Sequence, residues 1–215
     1  MVPHFTDRTD AGQRLAVALK RMVEPDERPV VLALPRGGVP LGRAVADAFA
    51  CPLSLVIARK IGHPDNPEYA VGAVTERGEP VWDQEAGAAL DPNWRTQALG
   101  AARTEATRRH ERYLSDHEQP EIAGHTAILV DDGIATGLPR RAAVRAVAAR
   151  APKRTIVAAP VCPGDVRATL VSEVDDIVTL DVGQPFLGAV GAYYDHFPQL
   201  SDAEVVALLH PDPGV

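Results

Sequence analysis

The stretch TAILVDDGIATG, Thr126 to Gly137, constrains this chain most. Its apolar run is too short for a helix and stops at two aspartates; small residues then lead into a helical pattern from Pro139 to Ala149. Strand, tight loop and helix in that order form the repeating unit of an open parallel sheet. The unit recurs. Pro29 introduces VVLALPRGGVPLGRAVADAFA, where an apolar run ends abruptly at Pro35-Arg36-Gly37-Gly38 before a second helical pattern. LSLVIARKIG, from Leu53, reads as another strand, ending in Arg59-Lys60, and TIVAAPV and DIVTLDV supply two more. The expectation is an α/β fold: an open, mostly parallel, twisted sheet flanked by helices, with right-handed crossovers.

Two segments break the alternation. Between residues 63 and 121 a short hairpin (AVGAVTERGEPVW) precedes a long polar helix that starts after Asp91-Pro92, and this reads as an inserted flap. On that helix Glu105, Arg109 and Tyr113 share one face, with Arg108 and Arg112 beside them, which reads as a solvated, ion-paired face or as one that reaches a ligand. Residues 183–199, which open with GQPFLGAVGAYYDHF, follow the last strand as a hood whose aromatics could stack on a planar ligand or fill the core. An opening helix from Thr9 or Asp10, with Leu15, Ala16, Leu19, Met22 and Val23 on one face, reads as a packing element. A capped helix, Ser201 to Leu209, closes the chain and should pack on the domain or on a second subunit of a homodimer. With no linker or repeat, all 215 residues are expected to form one domain.

The formal charge of −7 argues against a surface that collects nucleic-acid phosphates, while leaving room for a small basic pocket. No apolar run approaches the roughly 20 residues that span a bilayer, and the first residues lack the pattern of a secretory signal, so a cytoplasmic protein is expected. Cys51 and Cys162 read as core residues. No G-x-G-x-x-G follows the first strand and no G-x-x-x-x-G-K-[ST] occurs, which argues against dinucleotide-binding and P-loop readings.

Ligands of open parallel sheets bind beyond the carboxyl ends of the strands, where Arg36-Gly37-Gly38, Arg59-Lys60 and Asp131-Asp132 are expected. Small residues between a strand and a helix N-terminus let backbone N–H groups converge on a phosphate. The aspartates ahead of them can accept hydrogen bonds from hydroxyls or help to place a metal-bound group.

AILVDDGIATG resembles the signature of type I phosphoribosyltransferases, and its VDD…ATG form is closest to adenine-type members. Pro35-Arg36-Gly37-Gly38 resembles the family's pyrophosphate loop, and Arg59-Lys60-Ile61-Gly62-His63-Pro64 the adenine-type cationic strand end. The resemblance implies that Asp131 and Asp132 hold the ribose hydroxyls of phosphoribosyl diphosphate and help to place Mg²⁺, within a loop running through Gly133 and Ile134. It implies that Ala135, Thr136, Gly137 and Leu138 cradle the 5′-phosphate, and that Arg36, Gly37, Gly38, Arg59 and Lys60 surround the pyrophosphate, with a non-proline cis peptide expected at Arg36-Gly37. Tyr193 is the hood residue placed against the base. Arg36, Lys60, Asp131 and Asp132 are the expected catalytic residues. The implied reaction transfers the phosphoribosyl group to a small nitrogenous acceptor. Two departures stand out. Pro139 replaces the threonine that commonly closes the loop as T-G-x-T, removing a hydroxyl and an N–H. Ala135 stands where 6-oxopurine enzymes place an acidic base, which counts against hypoxanthine or guanine. A noncatalytic nucleotide sensor and an Mg²⁺-dependent phosphohydrolase remain as alternatives.

Overall fold

The computed structural model describes residues 4–24, 26–115, 119–135, 137–181 and 186–210. Thr136 and the start of the hood, 183–185, lie outside the described residues.

Helix α1 (Arg8–Leu19) starts one or two residues earlier than the sequence suggests. Its cap is Asp7, whose carboxylate accepts hydrogen bonds from the Thr9 and Asp10 amides. Then follow β1 (Pro29–Ala33), α2 (Gly38–Phe49) and β2 (Leu53–Leu55). A second sheet is built from β3 (Ala58–His63), β4 (Asn66–Thr75) and β5 (Val81–Trp82), and is followed by the short α3 (Ala86–Ala89) and the 23-residue α4 (Pro92–Leu114). The chain returns through β6 (Thr126–Val130), α5 (Leu138–Ala148), β7 (Arg154–Val161), α6 (Gly164–Leu170) and β8 (Asp176–Asp181). A 3-10 turn (Val190–Tyr193) and α7 (Asp202–Leu209) complete it.

The main sheet has the order β2-β1-β6-β7-β8, every pair parallel. Its inner strands β1, β6 and β7 are buried on both faces, as the uninterrupted apolar runs require. One face packs on α1 and α2 through Leu15, Leu19, Val31, Leu41, Ile128 and Ile156. The other packs on α5 through Leu32, Leu129, Val144 and Val157.

The segment LSLVIARKIG is not one strand. The chain leaves the main sheet after Leu55, crosses at the buried Val56 and Ile57, and enters the antiparallel sheet β3-β4-β5 at Ala58. The pattern changes at the same place, from an apolar run to a mixed one, Ala58-Arg59-Lys60-Ile61-Gly62-His63, in which only Ile61 is buried. Arg59 and Lys60 therefore sit within a flap strand and not at the end of a main-sheet strand. The flap contains two hairpins, since Pro64-Asp65 turns β3 into β4 through the His63–Asn66 pair.

The hood is tied to the N-terminus by a parallel bridge between Phe5 and Tyr194. Tyr193 and Phe5 are fully buried, and Phe5, Tyr194 and Phe197 form a chain of ring contacts. The aromatics serve the core.

Candidate functional site

Asp131 follows β6 at the carboxyl end of the main sheet, and its amide donates to the Ala158 carbonyl of the neighbouring strand at 3.2 Å. The turn that follows is anchored from below by Ile134, whose side chain is fully buried and whose amide donates to the Val161 carbonyl at 2.8 Å. Ile134 holds the loop in place, while Ala135 is exposed at its tip. Gly137 caps α5, and Pro139 lies in the first turn, where its missing N–H costs no helix hydrogen bond.

The Pro35–Arg36 peptide is cis, one bond earlier than expected, and the loop it opens lies directly against the aspartates. A side chain on Gly37 would place its Cβ 1.9 Å from Asp132 Oδ2, and one on Gly38 would lie 2.5 Å from the Val130 carbonyl oxygen. Both positions exclude any residue larger than glycine without movement of backbone or carboxylate. The structure thus brings Pro35–Gly38 and Asp131–Asp132 together.

Each carboxylate also has an arginine partner. Arg140 Nε donates to Asp131 Oδ2 at 2.7 Å, its Nη2 pairs with the same oxygen, and Nη2 also donates to the Gly133 carbonyl at 2.8 Å. Asp131 Oδ1 accepts the Asp132 amide. Burial pushes the Asp131 carboxyl above the usual range, Arg140 pulls against that shift, and the Asp132 charge adds to it. Arg8 Nε donates to Asp132 Oδ2 at 3.0 Å and Arg8 Nη1 to the Pro198 carbonyl at 2.7 Å. The guanidinium carbon sits 3.7 Å from the centre of the Phe197 ring. Tyr194, held neutral by burial, donates to the Asp132 carbonyl at 2.6 Å.

Arg8, Arg140 and Tyr194 were not legible as site residues. Arg8 sits in the first turn of what reads as a packing helix, and Tyr194 is one of two adjacent tyrosines. Tyr193, the expected ligand contact, points into the core, and its hydroxyl accepts from the Leu187 amide at 3.0 Å.

The cations separate. Lys60 pairs across the sheet with Ala73, which clusters with Ala142 of α5, so Lys60 lies on the face of the flap sheet turned toward α5. Its Nζ meets Glu68 at 2.8 Å. Arg59 points to the opposite face, toward Glu105, Arg108 and Arg109 of α4. The Arg36 guanidinium turns away from the aspartates to Asp202 of α7, 3.6 Å away, leaving the loop backbone facing them.

Among the described residues no three Asp, Glu, His or Cys side chains converge on a common point. Two carboxylates already bonded to arginines form a poor cage for a resident ion. They suit Mg²⁺ that arrives bound to phosphates, an ion that commonly takes only one or two protein carboxylates. No helix among the described residues is long and apolar enough to cross a membrane.

Residues 7–192 match the phosphoribosyl transferase domain family. The chain belongs to the phosphoribosyltransferase family. The match includes both loops that meet at the site. A Mycobacterium tuberculosis protein named "Putative phosphoribosyl transferase Rv0571c" is 38% identical over 212 residues, covering 95% of this chain and 46% of that relative. The chain thus spans about half the length of the curated relatives it matches. The crystal structure of TT1426 from Thermus thermophilus superimposes with a TM-score of 0.80 at 39% identity, covering 96% of this chain and 97% of that one. The parallel five-stranded sheet is that of the family.

Proposed function

We propose that the chain transfers the 5-phosphoribosyl group of Mg²⁺-bound phosphoribosyl diphosphate to a ring nitrogen of a small acceptor, releasing pyrophosphate. The observation that carries this reading is the fit of Gly37 against Asp132: the only side chain tolerated there is a hydrogen, so one loop's backbone meets the other loop's carboxylates. Asp131, which already accepts from Arg140 and from the Asp132 amide, keeps about one acceptor site, and Asp132, which accepts from Arg8, keeps more; these can accept the ribose hydroxyls. Gly137 and the first turn of α5 offer backbone N–H groups for the 5′-phosphate.

In this reading the C1′–O bond to the diphosphate breaks with its electron pair leaving on the diphosphate, and the acceptor nitrogen forms the new bond to C1′ and loses its proton to solvent. Mg²⁺ bound to the phosphates, with Asp131 and Asp132 as the carboxylates beside it, would supply positive charge to the leaving diphosphate. Asp131 and Asp132 fix the ribose so that the nucleophile attacks in line, and the Arg36–Gly38 backbone together with Lys60 receives the diphosphate. Arg140 and Arg8 hold the two carboxylates in place. Water must be kept from the electron-poor C1′, and the flap is the segment placed to do so. Arg59, on the other face of the flap, takes no part.

Pyrophosphate release assayed over a panel of bases tests the proposal. Release with one base is expected, and Lys60→Ala should lower kcat/KM on the order of a hundredfold. Unchanged turnover in that variant would remove Lys60 from the mechanism. A sensor reading is favoured by Pro139 and by the arginines that already occupy both aspartates. Calorimetric binding of phosphoribosyl diphosphate with Mg²⁺, without release for any base, would select it.

A further inference from the structure

A recess of about 430 Å³ is walled by the end of β2, the turn after β4, α4 and the end of α5. That volume is in the range of small-molecule sites. None of its walls comes from β3 or from the two main-sheet loops. Along α5 it begins at Ala146, about 12 Å from Leu138 at a rise of about 1.5 Å per residue. Its lining is largely apolar, with Leu55, Val56 and Val147 in it, and Glu76, His110, Gln119 and Arg150 are set among them.

The turn that carries Glu76 is pinned. Thr75 Oγ1 accepts from the Gly78 amide at 2.9 Å, and Arg103 Nη2 donates to the Gly78 carbonyl at 2.9 Å. The Glu76 carboxylate is less well served: Oε1 lies 3.3 Å from His110 Nδ1, while Oε2 is shut off from water with no hydrogen-bond partner. Such an oxygen is costly, and rotation about the last side-chain bond would present it to a donor in the recess. Arg150, just past the end of α5, spends Nη2 on the Pro120 carbonyl at 2.8 Å. Burial pulls its guanidinium below the ordinary pKa and the Glu76 charge pushes it back up, so the two groups feel each other without pairing directly. Gln119 gives Oε1 to the Ser54 hydroxyl at 2.6 Å, which leaves its –NH2 to donate. A simple anion would meet Arg150 and be repelled by Glu76, and a simple cation the reverse.

We propose that this recess binds a small zwitterion with an apolar body, its ammonium on Glu76 and its carboxylate on Arg150 and the Gln119 amide. An α-amino acid with a branched or aromatic side chain has this chemistry. Bound there, it would join the turn after β4 to the end of α5, so its occupancy restrains the flap from a site that phosphoribosyl diphosphate does not share.

L-Leucine titrated calorimetrically into the full chain tests this, beside two one-armed probes: isocaproate, which lacks the ammonium, and L-leucinamide, which lacks the carboxylate. Leucine should bind one equivalent, and each one-armed probe about tenfold more weakly. Glu76→Gln should weaken leucine about tenfold and leave isocaproate no weaker, while Arg150→Gln should weaken leucine and leave leucinamide unchanged. Both variants should keep the wild-type affinity for phosphoribosyl diphosphate with Mg²⁺, whatever its value. Leucine should also slow hydrogen exchange of the amides of residues 75–78. Absence of binding by L-leucine, L-phenylalanine and L-methionine at millimolar concentration would overturn the site. So would isocaproate binding as tightly as leucine, affinity unchanged in both variants, or exchange at 75–78 that leucine does not alter. Should Glu76→Gln fail to fold by circular dichroism, Arg150→Gln, at an exposed position, carries the test through the leucinamide comparison.

Discussion

At the scale of single residues, the site is made by side chains far apart in sequence. Arg8 and Asp132 are separated by 124 positions, yet they form an ion pair in which both side chains are largely buried, with Phe197 stacked on the guanidinium. Breaking a buried pair by removing one partner leaves the other charge uncompensated. Arg8→Met is expected to lower unfolding free energy by about 3 kcal/mol in urea titrations. Arg8→Lys should not restore it, because a single ammonium cannot bond Asp132 and the Pro198 carbonyl in the planar geometry that the guanidinium uses. Asp132 was legible from the loop in which it sits. Arg8 was not, because a basic residue in a first helical turn carries no signal of what it touches.

At the scale of elements, two features bear testing. Helices α1 and α2 approach so closely that a Cβ on Gly12 would lie 2.8 Å from the Leu41 Cα, a backbone atom that cannot turn aside. Gly12→Val should cost about 1 to 3 kcal/mol by overpacking, read as a lower urea midpoint with an unchanged slope. On α4, hydrogen bonds from Arg108 and Arg109 push the Glu105 carboxyl down to about 2 from its ordinary 4.5. A depressed acid contributes stability that is present above the unfolded value and lost as pH falls through the folded one. Glu105→Gln should therefore be less stable than wild type at neutral pH, by no more than about 1 kcal/mol because the network is exposed. The difference should shrink as pH drops below 4.5 toward 2, measured by urea unfolding down the pH series. The face shared by Glu105, Arg109 and Tyr113 was visible in the four-residue spacing. Its contacts with Asp202 and its proximity to Arg59 were not, since they depend on how α7 and β3 dock.

For the whole molecule, the flap and the main sheet differ in how they are held. The main sheet is gripped on both faces by large apolar clusters, whereas the cluster joining the flap sheet to α5 contains the buried residues Ala73, Val81 and Ala142, two of them the smallest apolar side chain. Amides of β3, β4 and β5 should therefore exchange hydrogen faster than those of β1, β6 and β7. Equal protection across both sheets would show that the flap opens only with global unfolding. Phosphoribosyl diphosphate with Mg²⁺ at a hundred times its dissociation constant should add about 2.7 kcal/mol to global stability and narrow that gap.

The sequence by itself determined what depends on local pattern. Apolar runs with abrupt Gly or Asp endings give strands, loops and helices, and the VDDGIATG and PRGG segments mark where strands end and the following helices begin. The parallel sheet and the two loops at its edge were legible for that reason. Tertiary structure alone decided which partners those loops met. The chain crosses between sheets at Val56–Ile57 because both faces there must be buried, and the crossing sends Lys60 and Arg59 to opposite faces. Docking also placed arginines on both aspartates, turned Arg36 toward Asp202 and drew Tyr193 into the core. Charges and rings find partners by distance in space, which local periodicity does not encode.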